Sequence, residues 1–340
     1  MKKYFLLLGV VILLGSCSNQ ETPPNAAAAM RGGSSSALLY LSCRTVSQEE
    51  VEFEFSRPVT IKQLNFEPEL SVDSVENGSI VKVKLKEKTE SGKLINVNLL
   101  AEDEKKNTLN VLVSFRARND RIPKLVINEI CTETASAKAG KKEEFIEFKT
   151  KSAGNLGAMR IVINGNTAAA KETIYEFSPV EVKKDEYIVL HLRTYNPESK
   201  DEYTGNLDES VGVTASPEGR DFWIPGDAAK LLHKTAMIYV LDQDDNVLDA
   251  VILSENQDNW WTKDYFAETA EFLFNKGAWE SEDGNVYSPK DAVASAKATN
   301  TRTICRDETV EDTNTAKDWY ITDTSNATPG KPNSVKRYLK

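Results

Sequence analysis

Histidine is nearly absent, with only His191 and His233 in 340 residues, and cysteine occurs four times. No CxxC or Cys/His spacing is present, so a zinc or cluster site has no ligand set to draw on, and no metal is expected. GxSxG, HExxH, the Walker loop and the dinucleotide fingerprint are all missing. General acid–base and nucleophilic chemistry therefore lack a recognisable set of residues, and neither catalytic residues nor a cofactor are expected. So few cysteines exclude a disulfide scaffold. Long apolar runs are lacking too. The hydrophobic stretch at residues 4–15 falls short of the roughly 20 residues that cross a bilayer. Basic residues are in deficit, 42 against 52 acidic, for a formal charge of −10. That balance repels phosphate backbones and disfavours nucleic acid as a partner.

What is present begins with an address. "MKKYFLLLGVVILLGSCSNQ" sets Lys2 and Lys3 before a short apolar run and a small-residue site, the pattern of a secretory signal over residues 1–16. Leu14-Gly15-Ser16-Cys17 resembles the lipobox of bacterial lipoproteins. The resemblance implies cleavage before Cys17, lipidation of its thiol and anchoring of the chain to a membrane that it does not cross. Ser18 is not the Asp that holds lipoproteins at the inner membrane in the best-known system, which points to the outer membrane. Residues 17–36 then read as the anchor and a flexible tether, rich in Pro, Ala, Gly and Ser. As a random coil the tether spans roughly 25 Å.

Residues 37–118 carry a period of two. "EVEFEFS" alternates Val51, Phe53 and Phe55 with Glu50, Glu52 and Glu54, and "IVKVKLKE" alternates Val81, Val83 and Leu85 with Lys82, Lys84 and Lys86. Such alternation predicts antiparallel strands with one face on a core, and the acidic stripe is expected opposite the basic one. "VEFEFSRPV" and "LLAEDEKKNTLNVLVSF" resemble bacterial Ig-like modules, which implies a β-sandwich. "NDRIPK", residues 119–124, reads as a polar hinge.

Beyond the hinge, "LVINEI", "EEFIEFKT", "GAMRIVIN", "MIYVLDQDDNVLDAVIL", "TRTICR", "DWYI" and "NATPGKPNS" are similar, in order, to the lamin-tail domain. This resemblance implies a second Ig-like sandwich over residues 124–336, and two partly helical insertions, near 195–235 and 253–298, depart from the family's minimal pattern. The fold class expected is thus all-β, two consecutive Ig-like sandwiches. Glu129 and Glu147 could in principle serve as an acid–base pair of a glycosidase. The resemblance instead puts both in structural strands, Glu129 on the face of Leu125 and Ile127, Glu147 on the face of Phe145. "DQDDNVLD" lacks the Gly and Glu of a calcium loop at positions six and twelve and reads as a hairpin turn. Cys131 and Cys305 can bond only if their Cα atoms lie within about 7 Å, which strand pattern alone leaves open. The insertions hold Trp223, Trp260, Trp261 and Trp279, either a small core or a platform for a ligand.

Together these readings predict a lipid-anchored, noncatalytic protein of the cell envelope that binds or adheres to a protein or glycan. The alternatives are a purely structural envelope protein and a hydrolase.

Overall fold

The computed structural model describes residues 37–137, 140–165, 172–226, 230–281 and 287–339. Cys17, the signal and the tether lie outside the described residues. The chain divides into two units between Asp120 and Arg121, both built of β-sheet.

The first unit holds β1 (Tyr40–Ser47), β2 (Glu50–Glu67), β3 (Val72–Glu76), β4 (Gly78–Leu85), β5 (Leu94–Asp103) and β6 (Thr108–Arg116). Its strand order is β3-β4-β2-β5-β6, with β1 also on β2. The long strand β2 serves two layers. Up to Glu54 it pairs mainly with β1 and β4, and from Val59 it pairs with β5. The register shifts between these stretches, where Pro58 cannot donate to a ladder. Val51, Phe53, Val81 and Val83 from one half meet Ile95, Val97, Leu99 and Phe115 from the other in a single core. Phe53 meets Phe115 edge to face, ring centroids 6.3 Å apart.

The acidic and basic stripes do face each other, as Glu50↔Lys84 and Glu52↔Lys82. The third expected pair is corrected: Glu54 lies opposite Ile80, because the antiparallel register ends β4 at Leu85, before Lys86. The nearest cation to Glu52 is Arg44 on β1, at 2.6 Å.

The second unit contains β7 (Leu125–Cys131), the small hairpin β8 (Ala135–Ala137) and β9 (Gly140–Lys142), β10 (Phe145–Thr150), β11 (Gly154–Asn155), β12 (Arg160–Asn164), β13 (Glu172–Glu176), β14 (Glu181–Val182) and β15 (Tyr187–His191). Then follow β16 (Arg220–Trp223), β17 (Ala236–Leu241), β18 (Val247–Ser254), helix α1 (Asp264–Asn275), β19 (Val293–Ala294), β20 (Ile304–Arg306) and β21 (Trp319–Ile321). Two sheets, β16-β15-β10-β7-β20-β21 and β13-β12-β17-β18-β19, form a sandwich. Ile127, Ile146, Phe148, Ile188 and Leu190 of the first sheet share a core with Ile161, Ile163, Ile238 and Val251 of the second.

The first insertion supplies β16, parallel to β15. The second supplies α1, which stops before Gly277. Its Phe266, Ala270 and Leu273, spaced for one helix face, enter the main core with Trp279.

Both units reuse one hairpin turn. Asp103 Oδ1 accepts the backbone N–H groups of Lys105 and Asn107, and Asp242 Oδ1 those of Asp244 and Asn246. The Asn side chain of each turn returns a bond to the second carboxylate oxygen at 2.9 Å. The "DQDDN" aspartate is thus spent on its own loop.

Candidate functional site

The opening glutamates are direct cross-strand neighbours, Glu147 on β10 opposite Glu129 on β7. The face expected for Glu129 is corrected. Asn128 is an extra residue in β7, a bulge between the pairs Glu147↔Glu129 and Phe148↔Ile127. A bulge flips the alternation, so Ile127 and Ile130 enter the sandwich core while Glu129 turns to the outer face of the sheet, beside Phe145 and Cys131. Arg306 and Asp249 hold the bulge from beneath: Ile127 donates its N–H to Asp249 Oδ2 at 2.6 Å, and Arg306 Nε donates to Ile127 O at 2.8 Å.

That outer face is sealed by residues 328–333. Thr328 N–H and hydroxyl donate to Glu129 Oε2 at 3.0 and 3.2 Å, and Gly330 N–H donates to Glu147 Oε2 at 2.6 Å. Asn128 Nδ2 reaches Glu147 Oε1 at 2.8 Å, and Thr303 hydroxyl bonds Glu129. Asn333 then clamps the bulge, its Nδ2 donating to Asn128 O at 3.0 Å and Arg306 O at 2.8 Å. The turn lies so close that a Cβ on Gly330, at φ +78°, would sit 2.6 Å from Ser216 Cβ. The TPGKPN stretch is therefore a plug whose amides fit two carboxylates.

Both glutamates are fully buried. Burial pushes the Glu129 carboxyl up, against the hydroxyl and amide donors that favour its charge. Burial and then the neighbouring Glu129 push Glu147 well above the carboxylate range. Facing buried carboxylates do not both ionise cheaply, and burial favours the neutral form of each. The pair's donors are the chain's own amides and hydroxyls, which leaves no oxygen directed at solvent for acid–base work. Beside it, burial pushes Glu308 up, but Lys149, Asn333 N–H and Asn128 hold it below the carboxylate range.

A second buried row lies on the same face. His191 Nε2 meets Asp221 Oδ1 at 2.8 Å, and its Nδ1 meets Thr214 Oγ1 at 3.0 Å. The Thr214 hydroxyl donates to Glu143 Oε2 at 3.0 Å. Hydroxyl, imidazole and carboxylate stand in the order of a nucleophilic triad. All are buried, and the Trp223 ring stacks on His191 with centroids 3.7 Å apart. Asp221 and Glu202 fasten the first insertion over them, Asp221 accepting Ser216 N–H and Glu202 accepting the N–H groups of Glu209, Ser210 and Asp221. Burial raises the Glu202 carboxyl against those amides. Sequence reasoning missed this row because Glu143, His191, Thr214 and Asp221 come from four separate segments.

The tryptophans do not share one surface, which corrects the platform of four. Trp223 is packed under Gly212, where a Cβ would lie 2.5 Å from the indole, and donates to Ser210 Oγ at 2.7 Å. Trp279 is inside the main core and donates to Asp291 O at 3.0 Å. Trp261 is half-buried, donating to Tyr287 O, and Trp260 is 81% exposed. Cys131 and Cys305 are free thiols on adjacent strands, Cys305 opposite Glu129 rather than opposite Cys131. Burial raises both, Cys131 to about 11.

The family model for the TP_1001 protein second domain matches residues 123–321. The chain belongs to this family. The family's span takes in Glu129, Glu147, the His191 row and both insertions, and it ends before the plug at Thr328–Asn333, which lies beyond the matched residues. An uncharacterized protein of Treponema pallidum (strain Nichols) is 28% identical over 162 residues, 46% of this chain and 39% of that protein's length. Among solved structures, a DUF4876 family protein from Bacteroides thetaiotaomicron VPI-5482 is 13% identical with a TM-score of 0.29, over 79% of this chain and 90% of that one. The N-terminal part of the bacterial S-layer protein SbsC is 15% identical with a TM-score of 0.24, over 44% and 39%. Among the described residues no helix is long and apolar enough to cross a membrane.

Proposed function

We propose that this chain is a lipid-anchored, noncatalytic protein of the bacterial cell envelope, held at the outer membrane through Cys17, that binds or adheres to a protein or glycan through its β-sandwiches. In this reading the first unit is an Ig-like module and the second a lamin-tail-like one. The observation that carries it is the plug. The residues of the second unit best suited to acid–base chemistry, Glu129 and Glu147, have their oxygens bonded by Thr328, Gly330, Asn128 and Thr303. The His191 row is likewise covered by the first insertion. A scaffold that spends its polar groups internally suits display of a surface rather than turnover.

The anchor is tested by fractionating cells that carry the wild-type chain or Cys17→Ser. The wild type is expected in the outer-membrane fraction and Cys17→Ser in the soluble fraction, with the wild type digested when intact cells are shaved with protease. A normally processed Cys17→Ser chain that stays on the membrane would contradict the reading.

A further inference from the structure

The buried row beside Trp223 brings a nucleophile, a base and an electrophile to one point. Thr214, from the first insertion, sets its hydroxyl oxygen 3.0 Å from His191 Nδ1 and 3.0 Å from Glu143 Oε2. Glu143 stands two residues before β10. Asp221 Oδ1 lies 2.8 Å from His191 Nε2, while its Oδ2 accepts Ser216 N–H. An acceptor on Nε2 selects the Nε2–H tautomer, which leaves the Nδ1 lone pair facing the Thr214 hydroxyl. The loop that carries Thr214 is held in place along its length. Gly212 packs on the Trp223 ring, Val213 on Gly140 and Ser216 on Gly330.

The hydroxyl has one proton for two neighbours. When that proton points to Nδ1, the bond to Glu143 needs a proton from the carboxyl, which then stands as a neutral acid. Moving both protons one place gives imidazolium and carboxylate with the same total. Glu143 is 1% exposed, and among the described residues its side-chain partner is Thr214, with no Lys or Arg paired to it. All four groups are buried, and Trp223 stacks on His191 to keep water from them. A buried carboxyl costs free energy that a buried ester does not.

We infer that Thr214 and Glu143 condense into an intramolecular ester that ties the first insertion to the head of β10. His191 Nδ1 takes the hydroxyl proton as Thr214 Oγ1 bonds to Glu143 Cδ. The imidazolium then returns that proton to the Glu143 hydroxyl, which leaves as water. One C–O bond forms and one breaks, with no outside reagent consumed, and Asp221 is a positioning residue. Well-oriented groups reach effective molarities of about 10⁵–10⁸ M, which offsets the bias of solvent towards hydrolysis. The link closes a span of 71 residues and so restricts the unfolded chain. It forms once per chain, turns over no substrate and is independent of the binding reading above.

The test is a peptide map of the full chain, extracted in detergent, denatured and digested with trypsin at neutral pH. Cleavage after Lys142, Lys149, Lys200 and Arg220 places Glu143 in peptide 143–149 and Thr214 in peptide 201–220. The expected product is a branched peptide joining the two, lighter than their sum by one water and split by alkaline hydroxylamine. Thr214→Ser keeps the branch, while Thr214→Val and His191→Gln lose it. The wild type also runs ahead of Thr214→Val in denaturing electrophoresis, because the closed loop stays compact. A wild-type map with the two peptides unlinked overturns the inference, and that result depends on no variant folding. A branch that persists in Thr214→Val overturns it by placing the link elsewhere, and one that hydroxylamine leaves intact does so by showing a bond other than an ester. Full linkage in His191→Gln overturns it as well.

Discussion

Glu147 is a residue whose charge the fold resists. Burial and the facing Glu129 hold it above the carboxylate range, so the folded chain binds more protons than the unfolded one between that range and the raised value. Stability from this site is therefore greatest at low pH and falls as pH rises through the window, each unit of displacement being worth about 1.4 kcal/mol. Thermal melts between about pH 5 and about pH 8 are expected to slope downward more steeply for the wild type than for Glu147→Gln, which has no proton to lose there. Parallel slopes would show that Glu147 titrates as an exposed carboxylate. Gly330 is the other exacting residue. Gly330→Ala meets both the positive φ and Ser216, and urea unfolding is expected to show a loss of about 1–3 kcal/mol.

At the scale of elements, the bulge and the hairpin turns set the geometry. Asn333 spends both amide hydrogens on the carbonyls of Asn128 and Arg306. Asn333→Ala orphans those carbonyls at about 1–3 kcal/mol. Asn333→Asp is expected to cost more, since an acceptor then faces two acceptors; equal melting temperatures for the two variants would refute the clamp. In the β17–β18 hairpin, Asp242→Ala removes the acceptor for two backbone amides and Asn246, an expected loss of about 1.5–3 kcal/mol in urea unfolding. Much at this scale was legible. Alternation marked β2 and β4 and set their acidic and basic stripes together, and the Asp-rich run announced its turn. The face of Glu129 was not legible, because one inserted residue reverses a period-two pattern and Asn128 looks like any other strand residue. The fate of the tryptophans was hidden for a related reason: loop sequence does not say which rings turn inward, and the core took Trp279 while His191 took Trp223.

Across the whole second unit, the plug joins the first strand to residues 328–333. Thr328 and Gly330 bond partners 199 and 183 residues earlier in the chain. The TPGKPN stretch could be recognised in the sequence, but its docking partners could not, since a contact so distant leaves no local periodicity. Such a closure has the character of a keystone rather than of a lid. Opening it exposes the buried carboxylate pair and unfastens the bulge that sets the sheet register, so opening should coincide with unfolding of the unit. The most direct test is native-state hydrogen exchange of the Thr328 and Gly330 amides, resolved individually by NMR. Exchange with the same opening free energy as the amides of β7 and β10 is the predicted result. Rapid exchange at Thr328 and Gly330 while those strands stay protected would contradict it, making the turn a lid over an accessible carboxylate pair and restoring the case for a hydrolase.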